Sequence, residues 1–339
     1  MHEYVGSIHL HSIYSDGGGT VREITAAARR AGLDYVVLTD HDTLRPRDDG
    51  WQGWRDGVLL VVGVEVTCRG RSHVLALNAR NVAGLRWKPL RRVLFDLENQ
   101  GAAAFIAHPH PADIMGISLK AGELVDWDVP GFSGLELWTF MHDICDRLTP
   151  WRMPSFLYTW PRYVRGPNPE TLAHWDRMIR DRRFPVVGAL DNHALAIPFL
   201  GKRFLSYEEG FRTLRTHVLA EELAGTRRDA DLIVRAILGG RAFLSLDLWA
   251  DARGFRFEGE TEGEAVLMGD ERLLRGPVML RALSPVPADL VILRDGLPAA
   301  KASGTVLEFR VDGPGVYRAE ARLGGKPWVY TNPIYLRSG

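Results

Sequence analysis

The sequence predicts an α/β fold in which a barrel of strands and helices is followed by a small all-β domain. Up to about residue 247, short apolar runs alternate with amphipathic helical stretches, which predicts a mostly parallel sheet and favours a barrel. From Phe255 onward the helical pattern stops, and short alternating runs separated by turns replace it. At 339 residues the chain exceeds the usual size of one core. A large domain of residues 1–249 and a smaller one of 250–339 are therefore expected.

The predicted strands of the large domain are short apolar runs, several of which end in or beside a histidine or a carboxylate. They are Tyr4–His9, Tyr35–Leu38, Val58–Val64, His73–Leu77, Ala103–Ala107, Gly134–Leu137, Pro185–Ala189 and Ala242–Leu246. The predicted helices carry apolar residues at helical spacing. They are Thr20–Ala31, Pro89–Gln100, Glu170–Arg182, Tyr207–Thr216 and Asp229–Gly239. Thr20 and Glu23 form a capping-box pattern, and Gly32 stands where a helix C′ residue is expected.

The C-terminal strands and one long insertion complete the predicted organisation. The strands are Val278–Leu283, Leu290–Leu293, Val306–Val311, Tyr317–Ala321 and Trp328–Tyr330. Turns such as Ser284-Pro285 separate them, and this punctuation predicts a β-sandwich over residues 250–339. Residues 148–169 are irregular and rich in Trp, Tyr, Pro and Arg. An irregular segment of this length inside an α/β domain predicts a lid or a binding loop.

Composition argues against several classes of protein. Apolar residues make up 46% of the chain and charged residues 25%, as in soluble globular proteins. The formal net charge is zero, so the overall charge indicates neither a nucleic-acid partner nor a membrane surface. Two cysteines, Cys68 and Cys145, provide no disulfide framework, and the first residues lack the pattern of a signal peptide. Together these features predict a cytoplasmic location.

Two histidines at the end of the first predicted strand are the first candidates for a metal site. His9 and His11 are two residues apart, so the period of a strand puts both imidazoles on one side, roughly 6–7 Å apart at the backbone. Two neutral imidazoles supply half of the ligands of a zinc-type site. Because His-x-His alone occurs by chance in many proteins, the pair gains its meaning from residues downstream.

Further ligand candidates lie at strand ends and in the adjoining loops, where the active sites of α/β barrels are found. Glu65 ends the strand Val58–Val64, where a carboxylate is suited to bridge two ions. The other candidates are Asp16, His41, His73, His108, Asp191 and His193. A buried array of unpaired acids and imidazoles would be destabilising, so the set predicts a polynuclear metal site. Asp40 and Asp42 flank His41 and are predicted to orient imidazoles by hydrogen bonding.

The order of these motifs resembles the polymerase-and-histidinol-phosphatase (PHP) family over residues 4–246. The motifs are His9-x-His11, Ser15-Asp16-Gly17, Thr39-Asp40-His41-Asp42, Gly63-Val64-Glu65, His108-Pro109 and Asp191-x-His193. The resemblance implies a distorted (β/α)7 barrel that holds two or three metal ions. It implies metal-ligand roles for His9, His11, Asp16, His41, Glu65, His73, His108, Asp191 and His193. The segments that follow Asp191-x-His193 are similar to the carbaryl-hydrolase-like metallohydrolase subgroup, which carries a C-terminal β domain; they are Thr216-His217-Val218, Gly240-Arg241-Ala242-Phe243 and Tyr330–Leu336.

The predicted chemistry is hydrolysis by a hydroxide that bridges two metal ions. Bound cations lower the pKa of a water molecule and stabilise charge on the attacked group. Glu65 is the predicted bridging ligand, and Asp16, His41 and His193 are predicted to hold a third ion. Glu65, Asp16 and His193 are therefore the predicted catalytic residues. Mixed imidazole and carboxylate ligands suit Zn, Mn or Fe and leave the choice among the three open.

The bond that is hydrolysed stays open between alternatives. The family's usual chemistry predicts a phosphoesterase acting on a small phosphomonoester or a nucleotide, and the absence of a basic stripe disfavours a polymer. The C-terminal resemblance and the aromatic residues of 148–169 favour a carbamate or carboxylic ester hydrolase instead. In a third interpretation the chain is a non-catalytic binding module.

Five residues are candidate substrate contacts, and the arginines among them are suited to phosphate. They are His110, His142, Arg45, Arg162 and Arg165.

Overall fold

The chain folds as a mixed α/β protein, which confirms the predicted class. The computed structural model describes residues 1–70, 72–110, 112–114, 117–119, 124, 126–146, 148–197, 201–261 and 263–338. The strands up to residue 246 are β1 (His2–Leu10), β2 (Tyr35–Leu38), β3 (Gly53–Arg55), β4 (Val58–Val62), β5 (Val64–Thr67), β6 (His73–Leu77), β7 (Ala103–Ile106), β8 (Ala112–Ile114), β9 (Ile117–Leu119), β10 (Gly134–Thr139), β11 (Val186–Ala189), β12 (Ala196–Ile197), β13 (Lys202–Arg203), β14 (Leu214–Ala220) and β15 (Ala242–Leu246).

The helices lie between these strands. They are α1 (Val21–Arg30), α2 (Arg45–Asp48), α3 (Leu90–Glu98), α4 (Phe140–Cys145), α5 (Met153–Thr159), α6 (Pro169–Asp181), α7 (Tyr207–Gly210) and α8 (Asp229–Leu238), with 3-10 helices at Pro150–Arg152 and Trp160–Tyr163. Helix α1 begins as its sequence predicts. The Thr20 hydroxyl accepts a hydrogen bond from the Glu23 backbone N–H, and the Glu23 carboxylate accepts one from the Thr20 N–H. Among the described residues, no helix is long and apolar enough to cross a membrane.

Most strands before residue 247 belong to two large sheets with mixed strand directions, while β8 pairs with β9 and β12 with β13 in two-stranded antiparallel sheets. In the first sheet β1, β2 and β4 are parallel, whereas β14 and β15 run antiparallel to their neighbours. The second sheet has the order β11-β10-β7-β6-β5, in which β7, β10 and β11 are parallel. The two sheets meet at the carboxyl ends of β1 and β11, where the Leu190 N–H donates to the Ile8 carbonyl at 2.9 Å. Strand directions are thus more mixed than the mostly parallel sheet that the alternation predicts.

One predicted helix, Tyr207–Thr216, is wrong in its second half. Helix α7 ends at Gly210, and the chain then forms β14, all seven residues of which are buried. Strand β14 pairs on one side with β1 and on the other with β15, so it is covered all round. A segment buried on every face shows no period that separates helix from strand. His217 therefore lies within the central sheet.

The segment 148–169 is helical where an irregular loop is predicted. It contains the 3-10 helix Pro150–Arg152, helix α5 and the 3-10 helix Trp160–Tyr163. Prolines in the first turns of α5 and of the second 3-10 helix explain these short pieces, because proline suits the start of a helix and not its interior. Trp151 and Tyr158 are 80% and 75% exposed, while Phe156 is buried. The lid role stays a prediction.

Residues 256–337 form antiparallel strands around a second apolar core. The strands are β16 (Arg256–Thr261), β17 (Glu264–Leu267), β18 (Glu271–Leu273), β19 (Met279–Arg294), β20 (Leu297–Arg310), β21 (Gly315–Leu323), β22 (Lys326–Thr331) and β23 (Ile334–Arg337), of which β18 and β23 pair in parallel. Strand β19 joins two predicted strands, because Ser284-Pro285 lies in a register shift instead of a turn. Strand β22 pairs with β15, so the C-terminal strands continue the first sheet.

A buried arginine ties the C-terminal strands to helix α6, and its removal should destabilise the protein. Arg318 on β21 donates to both carboxylate oxygens of Asp176, at 2.8 and 3.0 Å, and also to Glu320. We expect Arg318→Ala to lower the free energy of unfolding by about 3 kcal/mol, because it leaves two carboxylates without their partner. Denaturant unfolding measures this loss. Arg322→Ala, an exposed arginine on the same strand, is the control and should change stability little; equal losses in both variants would contradict the prediction.

Candidate metal centre

The end of β1 is a distorted strand that brings His9 and His11 together. Pairing with β2 shifts register between Ile8 and Leu10, and His9 has a φ of 68°, in the left-handed region. The two imidazole centroids lie 5.1 Å apart, and both side chains are fully buried. His108 and Asp191 also have positive φ values, of 26° and 53°. A non-glycine residue with positive φ costs about 1–3 kcal/mol, and such residues are concentrated at functional sites.

Glu65 lies at the centre of the cluster, and each of its carboxylate oxygens faces a different set of imidazoles. Oε1 lies 2.7 Å from His73 Nδ1 and 2.8 Å from His108 Nε2. Oε2 lies 2.9 Å from His9 Nε2, 3.2 Å from His11 Nε2 and 3.3 Å from His41 Nδ1. The side chain is 1% exposed. This two-sided arrangement is what a carboxylate that bridges two ions requires.

Asp191 is a second two-sided carboxylate. Its Oδ1 lies 3.4 Å from His11 Nε2 and 3.5 Å from His9 Nε2, and its Oδ2 lies 3.4 Å from His142 Nε2. The backbone beside Asp191 is fixed to the end of β1, because the His11 N–H donates to the carbonyl of the next residue, Asn192, at 3.1 Å. Asp191 thus connects the pair at the end of β1 with a histidine from the start of α4.

Asp16, His41 and His193 form a third group at the outer side of the centre. Asp16 Oδ2 lies 3.4 Å from His193 Nε2 and 3.6 Å from His41 Nε2, and Asp16 Oδ1 lies 3.5 Å from His11 Nδ1. The loop that carries Asp16 is tight. A Cβ at Gly17 would overlap the carbonyl of His11, so only glycine fits there. The prediction that these three residues converge agrees with this geometry.

The donor atoms fit divalent metal ions. Four groups of side chains each place one ligand atom per residue within 4.8 Å of the others, and they are His11/Asp16/His41/His193, His9/His11/Glu65/Asp191, His41/Glu65/His73 and His108/His142/Asp191. Both ring nitrogens of His11 are buried without a hydrogen-bond partner among the described residues, although carboxylate oxygens lie 3.2–3.5 Å away. His41 Nδ1 and His108 Nδ1 are also buried without a hydrogen-bond partner among the described residues, and His41 Nδ1 lies 3.3 Å from Glu65 Oε2. Close polar atoms that make no hydrogen bond are the arrangement that a shared cation satisfies.

Without metal, the carboxylates of the centre hold protons on several imidazoles. Burial by itself would lower the pKa of His11, but Asp191 and Glu65 outweigh it and raise that pKa to about 9. Burial would raise the pKa of Glu65, and the surrounding imidazoles instead hold it well below its usual range. The pKa of His108 is lowered, by burial and by His142. Metal binding therefore competes with protons at this centre.

Glu136 supports the centre and is absent from the site residues that the sequence predicts. This buried residue of β10 accepts a hydrogen bond from His9 Nδ1 at 2.6 Å and one from the His108 backbone N–H at 2.8 Å. The Thr139 hydroxyl donates a third, at 2.9 Å. An acceptor at Nδ1 fixes the tautomer of His9 and turns its Nε2 toward Glu65 and a metal. A lone carboxylate inside the apolar run Gly134–Leu137 is the signal that identifies such a residue, because a buried charge requires partners.

We expect Glu136→Gln to weaken metal binding or kcat/KM by about 10- to 100-fold, the usual effect of removing the group that orients a metal-bound histidine. The amide keeps the size of the side chain but presents an NH2 group to one of its two N–H donors. Metal titration of the chelator-treated protein measures the change. Thr139→Val, which removes a single donor to Glu136, should cost less than about threefold. A Glu136→Gln protein with unchanged metal affinity would show that Glu136 does not orient His9.

Asp40 and Asp42 do not orient imidazoles, contrary to the prediction. Asp40 is buried and accepts hydrogen bonds from the backbone N–H and hydroxyl of Ser12 and from the Ser15 hydroxyl. Asp42 accepts from the Thr67 N–H at 2.8 Å. Both carboxylates therefore hold the loops around the centre, and Asp40 anchors the one that carries Asp16.

A cavity of about 560 Å³ opens beside the centre and contains three of the five predicted substrate contacts. His108, His110, His142, Asp143 and Arg165 are among its lining residues. His110 hydrogen-bonds to Thr171 and Glu170, and Arg165 donates to Asp146.

The other two predicted contacts lie elsewhere. Arg45 begins α2, with its Cζ 5.8 Å from the Tyr14 ring centroid. Arg162 is exposed in the 3-10 helix Trp160–Tyr163 and makes no hydrogen bond or ion pair with the described residues. Neither lines the cavity, because each is held on a short surface helix. Whether any of the five contacts substrate stays a prediction.

The chain is similar to known proteins over part or most of its length. No family model matches the chain. A stretch of 85 residues is 33% identical to phosphoribosyl 1,2-cyclic phosphate 1,2-diphosphodiesterase from Eggerthella lenta; it covers 23% of this chain and 32% of that protein. A solved two-domain protein from Bacteroides vulgatus, containing a predicted PHP-like metal-dependent phosphoesterase, is 16% identical with a TM-score of 0.48, over 98% of this chain and 95% of that one.

The chain is similar to PHP-like metal-dependent phosphoesterases. The PHP resemblance that the motifs predict is confirmed at this level of similarity, while the resemblance to the carbaryl-hydrolase subgroup stays a prediction. Endonuclease Q from Pyrococcus furiosus is another similar structure, 14% identical with a TM-score of 0.42, over 70% of this chain and 56% of that one. The match to the curated diphosphodiesterase spans about a third of that protein's length.

Proposed function

We propose that the protein is a divalent-metal-dependent phosphoesterase that hydrolyses a small phosphomonoester or a nucleotide. The proposal rests on the position of Glu65. Its two carboxylate oxygens face two separate sets of imidazoles at 2.7–3.3 Å. Imidazole and carboxylate donors in this mixture suit Zn, Mn or Fe. We further propose that residues 1–249 form a PHP-type (β/α)7 barrel around this centre and that residues 250–339 form a small β-sandwich domain, which is joined to the barrel by the pairing of β22 with β15.

The proposed metal ligands are the nine residues that the sequence predicts. His9, His11, Glu65 and Asp191 would hold one ion, Glu65, His73 and His108 a second, and Asp16, His41 and His193 a third. When bound, two such ions would lower the pKa of a bound water toward neutral pH and would stabilise charge on the phosphoryl group.

The chain's own residues have separate roles in this proposal. Glu136 fixes the tautomer of His9, and Asp40 anchors the loop of Asp16 through Ser12 and Ser15. Glu65, Asp16 and His193 are the proposed catalytic residues, because they join the groups of donors or lie at the outer edge of the centre. The organic part of the substrate would occupy the cavity, whose 560 Å³ is within the usual range for small-molecule sites.

A substrate panel with the metal-loaded protein tests the proposal. The panel contains nucleoside monophosphates, sugar phosphates, a ribose cyclic phosphate, p-nitrophenyl phosphate, p-nitrophenyl acetate and an aryl carbamate. The cyclic phosphate is included because the curated relative's name describes a phosphoribosyl cyclic phosphate substrate. We expect turnover of phosphoesters that chelator abolishes and Mn²⁺ or Zn²⁺ restores. Cleavage of the carbamate or acetate without cleavage of any phosphoester would overturn the proposal in favour of the ester hydrolase, and no turnover in the panel would favour a binding module.

A further inference from the structure

His142 lies against the metal centre, on the side that opens to the cavity. It is part of helix α4, which follows β10 directly, so the strand that supplies Glu136 also determines where His142 stands. Its Nε2 is 3.4 Å from Asp191 Oδ2, and its side chain is 22% exposed. The ring stacks on that of His108, with centroids 4.6 Å apart and planes at 11°.

These contacts place donors together without satisfying them. The 3.4 Å separation of His142 Nε2 from Asp191 Oδ2 is long for a hydrogen bond. The Nδ1 atoms of His142 and His108 are both buried without a hydrogen-bond partner among the described residues. One ligand atom from each of His108, His142 and Asp191 lies within 4.8 Å of the other two. Two imidazoles and a carboxylate oxygen at this separation are a donor set for a divalent transition metal.

We propose that His142 is a metal ligand and acts with His108 and Asp191 Oδ2 at the cavity side of the centre. This inference rests on the metal centre of the proposed function and adds a tenth donor to it. Asp191 then has the same two-sided role as Glu65, with Oδ1 toward His9 and His11 and Oδ2 toward His142. Because His108 and His142 both line the cavity, this donor group is the one that a substrate in the cavity would meet.

The competing interpretation is that His142 contacts substrate alone, as the sequence analysis predicts. The two roles differ in what they change. A ligand changes metal affinity in the absence of substrate, whereas a substrate contact changes KM and leaves metal binding as it was. His110 offers a matched control, since it lines the same cavity but hydrogen-bonds to Thr171 and Glu170 instead of approaching Asp191.

Metal titration of the chelator-treated full chain, by calorimetry with Mn²⁺ or Zn²⁺ and by elemental analysis after dialysis, tests the proposal. We expect His142→Ala to weaken at least one binding step by about tenfold or more. His142→Asp, which restores a ligand atom, should recover most of that loss, and His110→Ala should bind metal as the wild type does. If His142→Ala fails to fold, His142→Leu, which is similar in size and offers no ligand atom, takes its place.

The outcomes separate this inference from the proposed function. Wild-type metal binding in His142→Ala, with or without a higher KM, would overturn the ligand role and leave the phosphoesterase proposal standing. Weakened metal binding in His142→Ala, in a protein whose wild type cleaves no phosphoester, would support the ligand role and overturn the phosphoesterase. Equal losses in His142→Ala and His110→Ala would overturn the inference, because a general disturbance of the cavity would then explain both.

Discussion

Replacing Glu65 with Gln is expected to reduce kcat/KM by about a thousandfold or more, which corresponds to about 4 kcal/mol of lost transition-state stabilisation. The substitution keeps the size of the side chain but removes its charge and turns one of its two oxygens into an NH2 group. Whichever orientation the amide adopts, either His73 and His108 or His9 and His11 face a donor in place of an acceptor. One set of imidazoles then faces a donor and both sets lose the negative charge beside them, so we expect both to bind an ion less tightly.

Metal content and activity should fall together in this variant, and elemental analysis beside steady-state kinetics measures both. Glu170→Gln is the control, because Glu170 is an exposed carboxylate that reaches His110 of the same cavity without approaching the centre. It should change kcat/KM by no more than a fewfold. A Glu65→Gln protein that retains its metal and its turnover would falsify the bridging role of Glu65.

Local sequence pattern was sufficient for much of the fold. The strands Tyr35–Leu38, His73–Leu77 and Ala242–Leu246 have the bounds that their apolar runs predict. These runs are short and flanked by polar or turn residues, so both their length and their flanking residues indicate a strand. Strand β14 differs because it is buried from both sides, and its apolar spacing then fits a helix equally well.

The ligand candidates were predictable as a set because strand ends meet in one place in an α/β fold. All nine lie in the cluster around Glu65. What the sequence could not provide is pairing between distant strands. Glu136 reaches His9 because β10 lies between β7 and β11, and nothing in its own neighbourhood indicates that partner. The position of His142 depends on where α4 begins. Because β10 is two residues longer than predicted, α4 begins at Phe140, and the sequence pattern does not indicate this.

The stability that protonated imidazoles contribute should fall as the pH rises, whereas the stability that bound metal contributes should increase. In the metal-free protein the pKa of His11 is raised from 6.5 to about 9, so its contribution to stability is full below pH 6.5 and is lost as the pH rises toward 9. The pKa values of Glu65 and Asp191 are lowered, and their contribution is lost as the pH falls below the usual carboxylate range. The metal-free protein should therefore become less stable between pH 6.5 and 9.

Metal binding requires deprotonated imidazoles, so affinity rises over the same interval. A cation at a thousand times its Kd stabilises the folded state by about 4 kcal/mol. We expect the increase in Tm on adding Mn²⁺, relative to chelator, to be larger at pH 8.5 than at pH 6. Thermal unfolding monitored by circular dichroism at both pH values, with and without metal, measures this difference.

His217 provides an internal control for this experiment. Its pKa is also raised, because Asp247 and Glu3 outweigh the effect of burial, so it makes the protein less stable at high pH as well. It lies within β14 beside Glu3 and Ser245, and it belongs to none of the four donor groups. Its contribution is therefore the same with and without Mn²⁺ and cancels in the difference between the two Tm values. A metal-induced increase in Tm that stays constant or shrinks as the pH rises would mean that the imidazoles of the centre do not bind the ion.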